Sequence, residues 1–440
     1  MTVLTSSLRA RGSGRGNLRL IITNNVLDAS ALDHAINSRS QIIADPLAVT
    51  FDPALSVKDQ VITGLARLAA GFPIVGTTSG STGMAKKYKR TQDSWRASFA
   101  ADQQEFKLNN RDVIIAPGSL QHSLFSYALC HGLHLGATVV LSESFRPDRV
   151  LEQIEKHQGT VLYGVPTQLK LIAQQAASNT GSKIFPSVRW ILSSGARWFS
   201  EILPQLKQIF PNASIAEFYG ASELSYVSLA LHTNDTTLPQ GSVGRPFHGT
   251  QIQIQSANAR EGKIWVHSQG LFDSSISEAP ADFSEKIDAQ GKRWCSVGDV
   301  GWINEHGYLF LTGRESRKLV VSGKNLYPEE VEQLLLGHPH IEEAAVLGVP
   351  DDLRGERLVA AVKFSRNEAG GQQDDLALNT PPPRPAELIA FLKPLVEDFK
   401  LPRHYVAIQD WPRTATGKTD FSALQSLLTK HMQTKREATA

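Results

Sequence analysis

Residues Thr77-Thr78-Ser79-Gly80-Ser81-Thr82-Gly83-Met84-Ala85-Lys86-Lys87 concentrate hydroxyl groups, then glycines, then two lysines in one short run. Glycine lets backbone N–H groups approach anionic oxygens closely, hydroxyls donate further hydrogen bonds, and lysine adds charge. Together these groups suit a polyphosphate. The spacing differs from a Walker loop, in which Gly-Lys-Ser/Thr closes the pattern. A plain Gly/Ser/Thr linker has the same composition, so the run takes its meaning from the motifs downstream in the chain.

Four further motifs succeed it in order. Tyr219-Gly220-Ala221-Ser222-Glu223 comes after a strand expected over 213–218. Gly298-Asp299 precedes Gly301-Trp302 and Gly307-Tyr308-Leu309. Gly313-Arg314 leads into Ser322-Gly323-Lys324-Asn325-Leu326-Tyr327-Pro328-Glu329-Glu330. Near the end stands Pro412-Arg413-Thr414-Ala415-Thr416-Gly417-Lys418-Thr419-Asp420. The series resembles the adenylate-forming superfamily of acyl- and aryl-CoA synthetases, peptide-synthetase adenylation domains and luciferases, and it covers roughly residues 71 to 425. Gly348-Val349-Pro350-Asp351-Asp352 with Gly355-Glu356 is similar to the small-domain signature of the acyl-CoA ligase branch.

The resemblance implies a two-step reaction. A carboxylate attacks the α-phosphorus of ATP, giving an acyl-adenylate and pyrophosphate. A thiol, from CoA or the phosphopantetheine arm of an acyl or peptidyl carrier protein, then takes the acyl group. By the same resemblance Thr78, Ser79, Gly80, Ser81, Thr82, Gly83 and Lys86 would hold the β- and γ-phosphates. Glu223 would help bind Mg²⁺, a hard cation that takes oxygen ligands, and Ser222 would stand near the α-phosphate. Tyr219, with Gly220 following it, would stack on adenine, with Gly195 and Ala196 along its other face. Asp299 would accept from the ribose hydroxyls with Arg314 assisting. Lys418 would enter the site during adenylation to balance charge, and His122 would gate the acyl pocket. Stretches around His122, Tyr163, Trp190 and Phe218 would line that pocket. Their aromatics, Phe125, Tyr127, Trp190 and Phe218, suit an aromatic or medium apolar acid, and an α-amino acid is less favoured because no acidic residue is clearly placed to pair with its amino group.

Three features depart from the pattern. Relatives carry a longer stretch before the phosphate loop, so a reduced N-terminal subdomain is expected. Ala85 replaces the usual proline before the loop lysine, which removes rigidity but no donor. After Arg314 the hinge reads Glu315-Ser316-Arg317, where an acidic residue or lysine followed by aspartate is common. A hinge needs permissive backbone more than a particular charge, so Ser316 is compatible with rotation.

The elements that must position these groups are legible in outline. Between about 90 and 300, β-branched runs such as Val113-Ile114-Ile115-Ala116 and Ala137-Thr138-Val139-Val140-Leu141 alternate with helical patterns over 147–157 and 166–177. Such alternation implies βαβ units and a largely parallel sheet. Over 241–266 the period drops toward two, which points to an antiparallel, barrel-like subdomain. A boundary near Gly313-Arg314-Glu315-Ser316 divides the chain. The expected fold is therefore α/β: a large domain over 1–314 and a small, mobile α+β domain over 315–440. The polar, Gly- and Pro-containing stretch 366–385 reads as a surface insertion in the small domain.

A net charge of +2 gives no global attraction toward nucleic acid or a membrane surface. No apolar run reaches the ~18 residues of a membrane span. Cys130 and Cys295 match no metal-ligand spacing and read as reduced, packed thiols. The arginine-containing, acid-free first 27 residues faintly resemble a transit peptide, but 18–23 reads as a short strand. The expected location is the cytoplasm.

Overall fold

The structure, a computed structural model, describes residues 19–22, 25–28, 56, 59, 61, 74–79, 85–142, 144–178, 183–195, 202–233, 238–256, 261–274, 282–351, 355–364, 382–414 and 419–437. The insertion expected at 366–385 lies largely outside them.

Strands β1 (Arg19–Ile22), β2 (Asn25–Asp28), β5 (Val113–Ala116), β6 (Thr138–Leu141), β7 (Val161–Gly164), β8 (Trp190–Ser194), β9 (Ser214–Ala221), β10 (Ser225–His232) and β11 (Arg245–Pro246) form one sheet. Its order is β11-β10-β9-β8-β7-β5-β6-β1-β2. Neighbours from β9 through to β1 run parallel; β2, β10 and β11 pair antiparallel at the edges. Helices α1 (Gln92–Phe106), α2 (Ser123–Leu135), α3 (Pro147–His157), α4 (Pro166–Ser178) and α5 (Ile202–Ile209) cross over it.

The continuous apolar runs are explained by burial of the parallel strands on both faces. Ile114, Val139 and Tyr163 point into a core with α1 and α2. Their neighbours Ile115, Val140 and Leu162 point the other way, onto α3, α4 and α5. Local signals set the helix ends. In α3, Pro147 opens the first turn beside Asp148, and Lys156 and His157 close the last. Each sign suits its end of the helix dipole.

A hairpin of β3 (Ile74–Ser79) and β4 (Ala85–Arg90) stands apart from this sheet. Strands β12 (Gln251–Gln255), β13 (Gly262–His267), β14 (Ser284–Ile287), β15 (Arg293–Ser296), β16 (Asp299–Ile303) and β17 (Leu309–Arg314) form the antiparallel unit expected from the period-two stretch.

Beyond Arg314 come a short hairpin, β18 (Leu319–Val321) with β19 (Lys324–Leu326), and helix α6 (Pro328–Leu336). A three-stranded sheet follows, β20 (Ile341–Asp351), β21 (Gly355–Phe364) and β22 (His404–Ala407), with helices α7 (Pro385–Leu392) and α8 (Phe421–Glu437). Along β21, Leu358, Ala360 and Val362 face α6 and α7, whereas Val359 and Ala361 face α8.

Allegiance changes within three residues of Arg314. The Glu315 amide donates to the Gly298 carbonyl at 2.8 Å, and the Glu315 carboxylate meets Lys263 at 3.2 Å; both partners precede Arg314. Arg317 instead grips Glu332 of α6 through both terminal nitrogens, at 3.0 and 2.7 Å, and lies over Phe421 of α8.

Candidate active site

Tyr219 stands near the end of β9, where strand alternation turns it away from its neighbour Phe218. Phe218 enters the core beneath α1 and α2, whereas Tyr219 packs toward the antiparallel unit. Its hydroxyl donates to Asp299 Oδ2 at 2.6 Å. Asp299 opens β16 and pairs in register with Arg314, the last residue of β17, whose Nε donates to Asp299 Oδ1 at 2.8 Å. The carboxylate is buried while the guanidinium is 47% exposed. Desolvation, then the Asp299 charge, push the Tyr219 phenol well above its usual range; the Asp299 charge leads in raising Arg314. A carboxylate oxygen accepts more than one hydrogen bond, so Asp299 keeps acceptor capacity for further hydroxyls.

Three residues separate β9 from β10: Ser222, Glu223 and Leu224. The Leu224 amide closes the turn onto the Ala221 carbonyl at 3.0 Å. Gly220 is required here, since a Cβ on it would stand 2.2 Å from the Ser225 carbonyl oxygen. Glu223 is buried, and its carbonyl accepts from Phe272 N at 3.0 Å. Its charge is felt by both Arg314 and Tyr88. The β9–β10 turn therefore lies between the Asp299 cluster and the β3–β4 hairpin.

The hairpin carries the hydroxyl-rich run. Thr78 pairs with Lys86 and Ser79 with Ala85. This corrects the sequence expectation in one respect: Thr77, Thr78 and Ser79 are strand residues, not loop. Backbone pairing across the hairpin outweighs a composition that locally suggests a linker. Gly80, Ser81, Thr82 and Gly83 lie outside the described residues, as do Ala196 and Lys418. On either side of Lys418, Arg413 and Thr419 form an antiparallel bridge, and Trp411 Nε1 donates to Thr419 Oγ1 at 3.0 Å.

Gly195 follows β8 at φ +103°, a left-handed conformation suited to glycine, and is exposed. His122 precedes α2 with an exposed side chain, and its carbonyl accepts from Phe125 N and Ser126 N. The aromatics expected to line an acyl pocket need correction. Phe125, Tyr127 and Phe218 are buried core residues. Phe218 stacks on Tyr226 at 4.4 Å between centroids, and Trp190 packs edge-on against Phe106. They fill space among themselves.

The family model described as AMP-binding enzyme matches residues 74–274, and that of the AMP-binding enzyme C-terminal domain matches residues 330–418. An uncharacterized acyl-CoA ligase of Bacillus subtilis is 31% identical over 94% of this chain and 77% of its own. The chain belongs to the AMP-binding enzyme family, within the adenylate-forming superfamily. A medium-chain acyl-CoA ligase of mouse mitochondria is 28% identical over 73% of this chain and 51% of its own. Among solved structures, o-succinylbenzoate CoA synthetase from Bacillus subtilis superposes with a TM-score of 0.75 at 19% identity, covering 96% of this chain and 97% of that one. An amide bond synthetase from Marinactinospora thermotolerans gives 0.74 at 21%, covering 97% and 100%. At these identities the structural likeness concerns the fold. Of the residues expected in this AMP-binding enzyme's site, Tyr219, Asp299 and Arg314 come into direct contact, with Glu223 close by.

Sequence reasoning missed Tyr88 and Arg90. They sit in Lys86-Lys87-Tyr88-Lys89-Arg90, which reads as a solvated basic run, yet both are buried. The available signal was their i, i+2 spacing on a strand, which places them on one face.

Proposed function

We propose that this protein activates a carboxylic acid with ATP, forming an acyl-adenylate and pyrophosphate, and then transfers the acyl group to a thiol with release of AMP. The observation carrying this reading is the Tyr219–Asp299–Arg314 cluster, built from three strands beside the turn that bears Ser222 and Glu223. A nucleoside fits such a cluster: an aromatic face for the base and a buried carboxylate for the ribose hydroxyls. Gly195 and Ala196 would line the base's other face, with Gly220 admitting the close turn beneath it.

In this reading the phosphates extend toward the β3–β4 hairpin, where Thr78, Ser79, Gly80, Ser81, Thr82, Gly83 and Lys86 hold the β- and γ-groups. Ser222 contacts the α-phosphate. Glu223, a buried hard-oxygen donor, would hold Mg²⁺ together with phosphate oxygens and water, the usual manner for that ion. The bound ion would supply charge neutralisation. Phosphoryl transfer depends mainly on positioning and charge stabilisation, and Lys418 serves the second need during adenylation.

The small domain, 315–440, then turns about Ser316, between Glu315 and Arg317, so that the thiol can approach. CoA is the favoured thiol, and a carrier-protein pantetheine offers the same group. His122, exposed beside the start of α2, stands at the acyl entrance. Similarity to a medium-chain acyl-CoA ligase supports an apolar acid of medium size, and an aromatic acid is the second class to test. Two buried free thiols, Cys130 and Cys295, accord with a reducing, cytoplasmic setting. Among the described residues, no helix is long and apolar enough to cross a membrane.

The test is pyrophosphate release from Mg-ATP across aryl, fatty and amino acids, with and without CoA. Acid-dependent release that rises with CoA is expected for aryl or medium-chain acids. ATP binding with no release for any acid would contradict the reading and favour a nucleotide-binding interaction protein.

A further inference from the structure

Tyr88 and Arg90 lie two residues apart on β4 and are 3% and 4% exposed. The Tyr88 phenol is surrounded by the hydroxyls of Ser222 and Ser123 and the charge of Glu223. Arg90 reaches the other end of the same turn. Its terminal nitrogens donate to Ser225 Oγ at 3.3 Å, to Ser98 Oγ at 2.7 Å and to the Ser94 carbonyl at 2.9 Å, and its Nε donates to Ser94 Oγ at 2.9 Å. Ser98 Oγ and Ser225 Oγ are themselves 2.9 Å apart. The guanidinium lies over the Trp95 ring, 5.0 Å from its centroid.

Ser225 is the point on which the turn depends. It stands at φ +62°, which a residue with a side chain holds only when its surroundings over-determine it. Two backbone bonds strengthen the junction: Phe272 N donates to the Glu223 carbonyl at 3.0 Å, and Asp273 N to the Lys89 carbonyl at 3.2 Å. Among the described residues, the hydrogen-bond acceptors of Arg90 are neutral oxygens. Burying a guanidinium that way is costly compared with an apolar side chain of similar volume. A rigid fork of donors offers direction instead.

We propose that Tyr88 and Arg90 are positioning residues which clamp the Ser222–Ser225 turn to the strand leaving the phosphate loop, fixing Glu223 relative to the loop for one Mg-polyphosphate. The proposal rests on the adenylating function above. It places in one strand both the loop lysine's backbone and the groups that orient the opposite wall.

The test uses full-length Arg90→Met, Ser225→Ala, the double variant, and Tyr88→Phe. Arg90→Met should slow acid-dependent pyrophosphate exchange by about 10–100-fold, the scale of a small misplacement of reacting groups. It should also raise severalfold the Mg²⁺ concentration giving half-maximal rate, leaving KM for the acid within about twofold. If Arg90 acts through Ser225, the double variant is no worse than Arg90→Met alone. Should Arg90→Met fail to fold, Ser225→Ala and Tyr88→Phe carry the same Mg²⁺ readout with smaller shifts. Multiplying effects in the double variant would overturn the clamp. So would a rate loss that tracks melting temperature with an unchanged Mg²⁺ response. Thermal stabilisation by Mg-ATP gives the same readout without turnover. Wild-type stabilisation without exchange would count against the adenylating function alone; a Mg²⁺ midpoint unchanged across the variants, or no stabilisation at all, would overturn the clamp.

Discussion

Replacing Asp299 by Asn probes the nucleoside end of the site. In the wild type each carboxylate oxygen already accepts one bond, 2.6 Å from Tyr219 and 2.8 Å from Arg314. Asparagine can keep its oxygen toward Arg314 Nε while its N–H₂ donates to the Tyr219 hydroxyl, so the contacts can persist but the negative charge is lost. Arg314 is 47% exposed and rehydrates readily, so losing that ion pair contributes little. The nucleotide loses more. Hydrogen bonds to a charged group contribute about 1.5–3 kcal/mol each, and ~1.4 kcal/mol is tenfold in affinity. KM for ATP should therefore rise about 10–100-fold in a pyrophosphate-exchange assay, with KM for the acid within about twofold. Tyr219→Phe removes the hydroxyl but leaves the carboxylate, and should raise KM for ATP less than Asp299→Asn. A lowered melting temperature with an unchanged KM for ATP would refute this reasoning, since Asp299 would then serve only to join β16 and β17.

Two other predictions concern charge at distant points. Lys418→Ala should reduce adenylation by about 10²–10³-fold, as for loss of a preorganised contact, while thiolysis of a supplied acyl-adenylate persists; equal loss of both steps would contradict a lysine used in one half-reaction. His131 is wholly buried, and burial pushes its imidazole down to about 3 from 6.5. A depressed folded-state value means that stability present above pH ~6.5 is lost as pH falls toward 3, by up to about 1.4 kcal/mol per pH unit. Melting temperature should fall below pH 6.5 more steeply in the wild type than in His131→Phe; parallel profiles would show that His131 does not titrate this way.

Much of the large domain was legible because strands buried on both faces write themselves as β-branched runs. The 147–157 and 166–177 patterns became α3 and α4 nearly to the residue. The antiparallel unit announced itself through Gln251-Ile252-Gln253-Ile254-Gln255. Other features depend on long-range pairing that no local window contains. Thr77 to Ser79 look like linker until Ala85 to Lys87 pair with them. Arg90 looks solvated until α1 and β10 close around it. Phe218 looks available to a substrate until Tyr226, paired across with Gly220 two residues further along β9, stacks on its ring. The order of motifs carried the site's membership, whereas its geometry required Asp299 and Arg314, fifteen residues apart, to meet across β16 and β17.

The central claim, that an acid is activated as its adenylate before a thiol takes it, is tested most directly by looking for the intermediate. The enzyme is incubated with Mg-ATP and an aryl or medium-chain acid in the absence of thiol, and the mixture is analysed by mass spectrometry before and after CoA is added. Acyl-AMP is expected in the first sample, and in the second its replacement by acyl-CoA and AMP. Acyl-CoA formed with ADP and phosphate, and no adenylate at any time, would contradict the claim.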